Sequence, residues 1–126
     1  MSVTDHLHAL NAVLPGEEPL VLQESQDFWD DRSEEVVDAA HAEIEAAHQA
    51  LAAALTERWG EPKKVDLGPY LEDDEADEEP MSHLSQLCGD VLVWQRESDW
   101  LALAIGQADA EFPIQLLAAA GTATLP

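Results

Sequence analysis

Apolar residues recur three and four positions apart over residues 34–59, so they share one face of a helix. Ser33 precedes this segment, where its hydroxyl can accept a hydrogen bond from the first turn, and Gly60 follows it as a stop signal. The pattern therefore predicts a long central helix over 34–59. The apolar stripe consists of Val37, Ala40, Ile44, Ala47, Leu51 and Ala54.

A β-hairpin is predicted over residues 91–105, where the stretch VLVWQRESDWLALAI places two β-favouring runs on either side of a tight turn. If Arg96 faces Asp99 across that turn, Trp94 faces Leu101. One hairpin face then has five large apolar residues and is expected to pack under the central helix. They are Leu92, Trp94, Leu101, Leu103 and Ile105. The opposite face includes Trp100 and is less bulky, and we expect it to be partly exposed.

Weaker patterns complete the predicted fold. Residues 4–14 have helical spacing, and the short runs 20–23 and 63–67 are possible strands. Residues 112–119 are interpreted as a third antiparallel strand, with a short helix as the alternative. The sequence thus predicts a single α+β domain over 1–126. In it, one long central helix and a short N-terminal helix pack on a small antiparallel sheet.

Acidic residues dominate the charge of the chain. There are 27 Asp and Glu residues against five Lys and Arg, which gives a net charge of −22. Such a charge disfavours direct nucleic-acid binding and anionic membrane surfaces, because both require cations on the protein. It favours a basic protein partner, whose encounter would be accelerated by the opposite charge. An alternative is that the charge serves only solubility.

The densest acidic segment is LEDDEADEEP, residues 71–80, which lacks any apolar periodicity. Its like charges repel one another, so we expect a flexible loop that attracts a basic partner at long range. Trp100 on the hairpin is expected to anchor the complex, because aromatic residues often carry binding energy at interfaces. The alternative for Trp100 is ordinary packing under the N-terminal helix or in a homodimer. The predicted protein-binding residues are Glu72, Asp73, Asp74, Glu75, Asp77, Glu78, Glu79 and Trp100.

A helical metal site is the main chemical alternative. In DAAHAEIEAAHQ, the residues His41, Glu45 and His48 lie on roughly one helix face, as helical carboxylate–histidine ligands do. The spacing is not that of a HExxH motif, and the residues also flank the apolar stripe, so they could be simple boundary residues. We expect no metal and no cofactor.

The single cysteine, Cys88, excludes an intramolecular disulfide and suits a reducing cytoplasm. No cation lies near it in sequence, so we expect an inert thiol. The N-terminus lacks the features of a signal peptide, and no apolar run is long enough to span a membrane.

No nucleophile elbow or glycine-rich phosphate loop occurs, and we expect no enzyme. The helix-then-hairpin plan is similar, in organisation only, to the acidic α+β immunity proteins of bacterial toxin systems. The sequence therefore favours a protein-binding module of inhibitor, immunity or chaperone type that masks a basic partner. A variant is a mimic of DNA, and a homodimer with a structural or assembly role is the other alternative.

Overall fold

A computed structural model describes residues 3–10, 13, 19–67, 88–96, 99–109 and 111–122. The predicted acidic loop, residues 71–80, lies outside these described residues. Two helices and five strands follow one another along the chain. They are α1 (Val3–Ala9), β1 (Leu20–Glu24), α2 (Glu34–Trp59), β2 (Lys63–Asp66), β3 (Asp90–Gln95), β4 (Trp100–Gly106) and β5 (Gln115–Gly121).

The five strands form one antiparallel sheet in the order β1-β5-β4-β3-β2. Because β1 and β2 lie at opposite edges, the intervening α2 must carry the chain from one side of the sheet to the other. The predicted α+β fold is confirmed, and the third strand is present at 115–121 rather than a helix. The sheet is larger than expected, since both weak runs join it as edge strands.

Helix α2 occupies the predicted range, residues 34–59. Its N-cap residue is Ser33, as expected, but the hydroxyl makes no capping hydrogen bond. Instead, the backbone N–H of Ser33 donates to Oδ1 of Asp31 at 2.9 Å. Gly60 ends the helix with a φ of 85°, a left-handed value that favours glycine, and its N–H donates to the carbonyl of Thr56. Helix α1 is shorter than predicted.

The main core lies between α2 and the sheet. The hairpin register is the predicted one, with Trp94 opposite Leu101 and Leu92 opposite Leu103. Trp94 is fully buried, and its indole N–H donates to the hydroxyl of Thr56 on α2 at 3.3 Å. This bond gives the indole N–H of the buried Trp94 a hydrogen-bond partner. The large buried side chains on the two sides of this core are Ile44, Leu51, Leu55, Trp94, Leu101, Leu103 and Leu116.

A second apolar cluster occupies the opposite face of the sheet. The expectation that this face is partly exposed is wrong, because Trp100 is only 3% exposed. β2 and β5 place further apolar side chains on this face beside those of the hairpin. The cluster consists of Val65, Leu67, Val91, Val93, Trp100, Ala102, Ala104, Leu117 and Ala119.

Within the described residues, no helix has the length and apolar character needed to cross a membrane. The single-domain organisation over 1–126 stays a prediction.

Candidate protein-binding surface

Of the predicted anchors and acids, the structure describes only Trp100, and it places that residue in the second apolar cluster. The indole lies against Gly121, its direct partner across the β4–β5 pair. A side chain buried in this way is not available to a partner in the folded chain. The predicted binding residues 72–79 lie outside the described residues.

A different aromatic pair is exposed. Trp29, in the segment before α2, is 61% exposed, and Phe112, in the β4–β5 connection, is 43% exposed. Their rings meet edge to face, with centroids 5.6 Å apart and an interplanar angle of 84°. Phe28, next to Trp29, is completely buried. The chain bends at Trp29 and Asp30, where Phe28 enters the core and Trp29 faces solvent.

Backbone hydrogen bonds hold the two aromatic segments together. The N–H of Ser25 donates to the carbonyl of Ile114 at 2.8 Å, and that of Phe28 donates to the carbonyl of Glu111 at 2.9 Å. The hydroxyl of Ser25 also accepts a hydrogen bond from the N–H of Ile114. The N–H of Phe112 donates to the carbonyl of Asp109, within the turn that carries Phe112. Both aromatic rings are thus carried by backbone with fixed hydrogen-bond partners.

Acidic residues surround these aromatics in both segments. Residues 27–38 contain six acids, all exposed, and residues 107–112 contain two more. The only cation in either segment is Arg32, which forms an ion pair with Glu111 at 3.3 Å. We call the aromatic pair and its neighbouring acids the acidic–aromatic patch. It comprises Asp27, Trp29, Asp30, Asp31, Glu34, Glu35, Asp109, Glu111 and Phe112.

Local structure favours the negative charge of three of these acids. The hydrogen bond from the N–H of Ser33 lowers the pKa of Asp31. Glu34 and Glu35 lie in the first turn of α2, where the helix dipole favours negative charge. The patch therefore combines a negative field with exposed aromatic surface. In the sequence, the signal for this patch is the adjacent pair Phe28 and Trp29, which lies between acidic residues.

The histidines of the metal hypothesis are not gathered into a site. Among the residues that the structure describes, no three His, Cys, Asp or Glu side chains are placed to hold a metal ion. Glu45 is exposed, whereas His48 is half-buried and burial lowers its pKa. His41 and His48 thus lie at the border of the α2 stripe, as boundary residues do.

His48 does line a cleft of about 350 Å³, together with Lys64, Cys88 and Asp90. Burial raises the pKa of the Cys88 thiol to about 11. A catalytic cysteine needs the opposite shift, because the thiolate is the nucleophile. Lys64 is engaged with Asp90 at 3.4 Å. The described residues of the cleft therefore include no activated thiol nucleophile.

Comparison with protein-family models, with curated proteins and with solved structures finds no match for this chain.

Proposed function

We propose that this protein is a small acidic, non-enzymatic binding module, of inhibitor, immunity or chaperone type, that masks a basic protein partner. The observation that carries the proposal is an uncompensated negative charge. The chain has a net charge of −22, and at least three of its five cations form ion pairs with acids among the described residues. These ion pairs are Arg32–Glu111, Lys64–Asp90 and Arg96–Asp99.

The mechanism of recognition is long-range attraction followed by close contact. A field of one sign steers an oppositely charged protein and raises its association rate by roughly 10-fold or more at low salt. Exposed charges are screened beyond about 10 Å at about 0.1 M salt, so the acceleration depends on ionic strength. The same charge disfavours nucleic acid as a direct partner, because five Lys and Arg residues against 27 acids leave few cations to replace its counterions.

Trp100 would be the main contact residue of a homodimer formed through the hairpin face, but it is buried within the chain. Pairing of two chains through a sheet edge stays a prediction. The partner proposal does not depend on the oligomeric state.

Affinity capture from a lysate of the source cells, at about 0.05 M and about 0.5 M salt, tests the proposal. Two variants with the same net charge show whether the acids of the patch or acids elsewhere accelerate association with the partner. The patch variant neutralises Asp27→Asn, Asp30→Asn, Glu34→Gln and Glu35→Gln. The matched control neutralises four exposed acids elsewhere, Glu43→Gln, Glu45→Gln, Glu57→Gln and Glu61→Gln.

We expect one stoichiometric basic protein that is held at low salt and released at high salt. Its association with the patch variant should be slower by roughly 10-fold, and the matched control should be affected less. Capture of no basic protein at either salt concentration would contradict the proposed function.

A further inference from the structure

The exposed tryptophan is the least expected feature of the described surface. A tryptophan side chain buries roughly 150–250 Å² when it is covered, so leaving one 61% exposed forgoes a large gain in free energy. Tryptophan is also among the residues that most often dominate binding energy at interfaces. Trp29 therefore has the composition and the exposure of an interface anchor.

The residues around Trp29 favour a cationic group as its binding partner. Asp27, Asp30 and Asp31 lie within two residues of it, so a cation is attracted to the same place. Trp29 meets Phe112 edge to face and is still 61% exposed, so much of its indole surface is open to a partner. The chain contains this type of contact already, because the Arg96 guanidinium lies 5.9 Å from the ring centroid of Trp59.

We propose that the Trp29–Phe112 pair is the docking site for an arginine side chain of the basic partner. This inference rests on the proposed function and identifies the site and the side chain that it recognises. A planar guanidinium stacks on an indole and still donates hydrogen bonds to neighbouring carboxylates, whereas an ammonium acts as a hydrated point charge. The site thus distinguishes arginine from lysine, which charge alone does not.

The fixed backbone supports such a site. Phe28 is buried beneath the segment, and hydrogen bonds join residues 25 and 28 to residues 111 and 114. Arg32 is paired with Glu111, so its charge is offset and it adds a further link between the segments. A rigid platform loses little conformational entropy when a partner binds.

Two peptides of equal length, one of arginine and one of lysine, test the inference by titration calorimetry. The wild-type chain should bind the arginine peptide more tightly. Trp29→Ala should weaken arginine binding by about 3- to 5-fold and lysine binding by less than about 2-fold. Trp29→Phe should give an intermediate affinity, because tryptophan is the best cation–π partner among the aromatic residues.

Val21→Ala is the matched control, since Val21 is also a large exposed apolar residue, at 42%, but lies on β1. It should leave both affinities unchanged. Because Trp29 is exposed, its variants should keep the thermal unfolding midpoint of the wild type. A change in tryptophan fluorescence on adding the arginine peptide should occur in the wild type and be lost in Trp29→Phe.

The outcomes separate this inference from the proposed function. If both peptides bind equally and Trp29→Ala changes neither affinity, the arginine site is wrong while the acidic surface still binds cations. If neither peptide binds the wild-type chain at low salt, the acidic surface does not attract cations, and the proposed function fails as well.

Discussion

Replacing Gly121 by alanine tests the packing of the second apolar cluster. Gly121 lies directly opposite Trp100 in the β4–β5 pair, and the indole occupies the space above it. An added methyl group would lie 2.9 Å from Cε2 and 2.7 Å from Cη2 of that ring, and closer still to Cζ2. Trp100 is 3% exposed, so its ring has little room to move away.

Two opposing effects determine the expected change in the free energy of unfolding. Forcing an extra methyl into a packed core destabilises a protein by about 1–3 kcal/mol. Replacing a glycine in a strand lowers the entropy of the unfolded chain, which returns about 0.5–1 kcal/mol. We expect Gly121→Ala to lower the free energy of unfolding by about 1–2 kcal/mol. For a chain of this size that corresponds to a fall in Tm of about 4–8 °C.

Thermal unfolding followed by circular dichroism measures this effect, and Gly89→Ala is the matched control because a methyl there meets no atom of the described residues within 4 Å. The cost of Gly121→Ala should disappear in a Trp100→Ala background, since a double-mutant cycle isolates the contact between the two residues. A Tm for Gly121→Ala within about 1 °C of the wild type would refute the burial of Trp100 against Gly121.

Two further predictions concern titratable groups. His6 is buried, and desolvation is the largest cause that lowers its pKa. The unfolded chain therefore binds the proton more readily. Stability from this group is therefore present above about pH 6.5 and lost as the pH falls towards the folded-state pKa. Urea unfolding at several pH values should show a smaller loss of stability at low pH in His6→Leu than in the wild type, and an unchanged loss in His8→Gln. Equal pH dependence in both variants would contradict this prediction. Because burial raises the pKa of Cys88 to about 11, alkylation by iodoacetamide at neutral pH should be slow in the folded chain and faster in urea; equal rates would argue against a protected thiol.

The sequence predicts helix α2 and the hairpin register well because their signals are local. Helix α2 has an apolar stripe, a serine before it and a glycine after it, all within one continuous segment. The register of β3 and β4 follows from a short turn, since moving it by one residue would exchange the two faces. The face packed under α2 is therefore the predicted one.

The second face could not be derived in the same way, because its burial depends on strands that are distant in sequence. β2 pairs with β3, and β5 pairs with β4, so each adds apolar residues beside Trp100. Edge strand β1 pairs with β5 across most of the chain length. No local pattern specifies these pairings.

Of the adjacent aromatic residues Phe28 and Trp29, only Phe28 is buried. Trp29 lies in a bend before α2, and its side chain faces solvent. The sequence does not show which of the two is buried, because that depends on the tertiary contacts of the segment between β1 and α2. Only the fold distinguishes the core residue Phe28 from the surface residue Trp29.

The central claim is that the acidic–aromatic patch receives a basic protein. Amide chemical shifts of the isotopically labelled chain, recorded while the captured basic protein is added, test this claim residue by residue. The account predicts changes concentrated in residues 27–35 and 107–112, with little change around the cleft formed by His48 and Cys88. Changes confined to that cleft or to the β1 edge, with residues 27–35 unaffected, would contradict it.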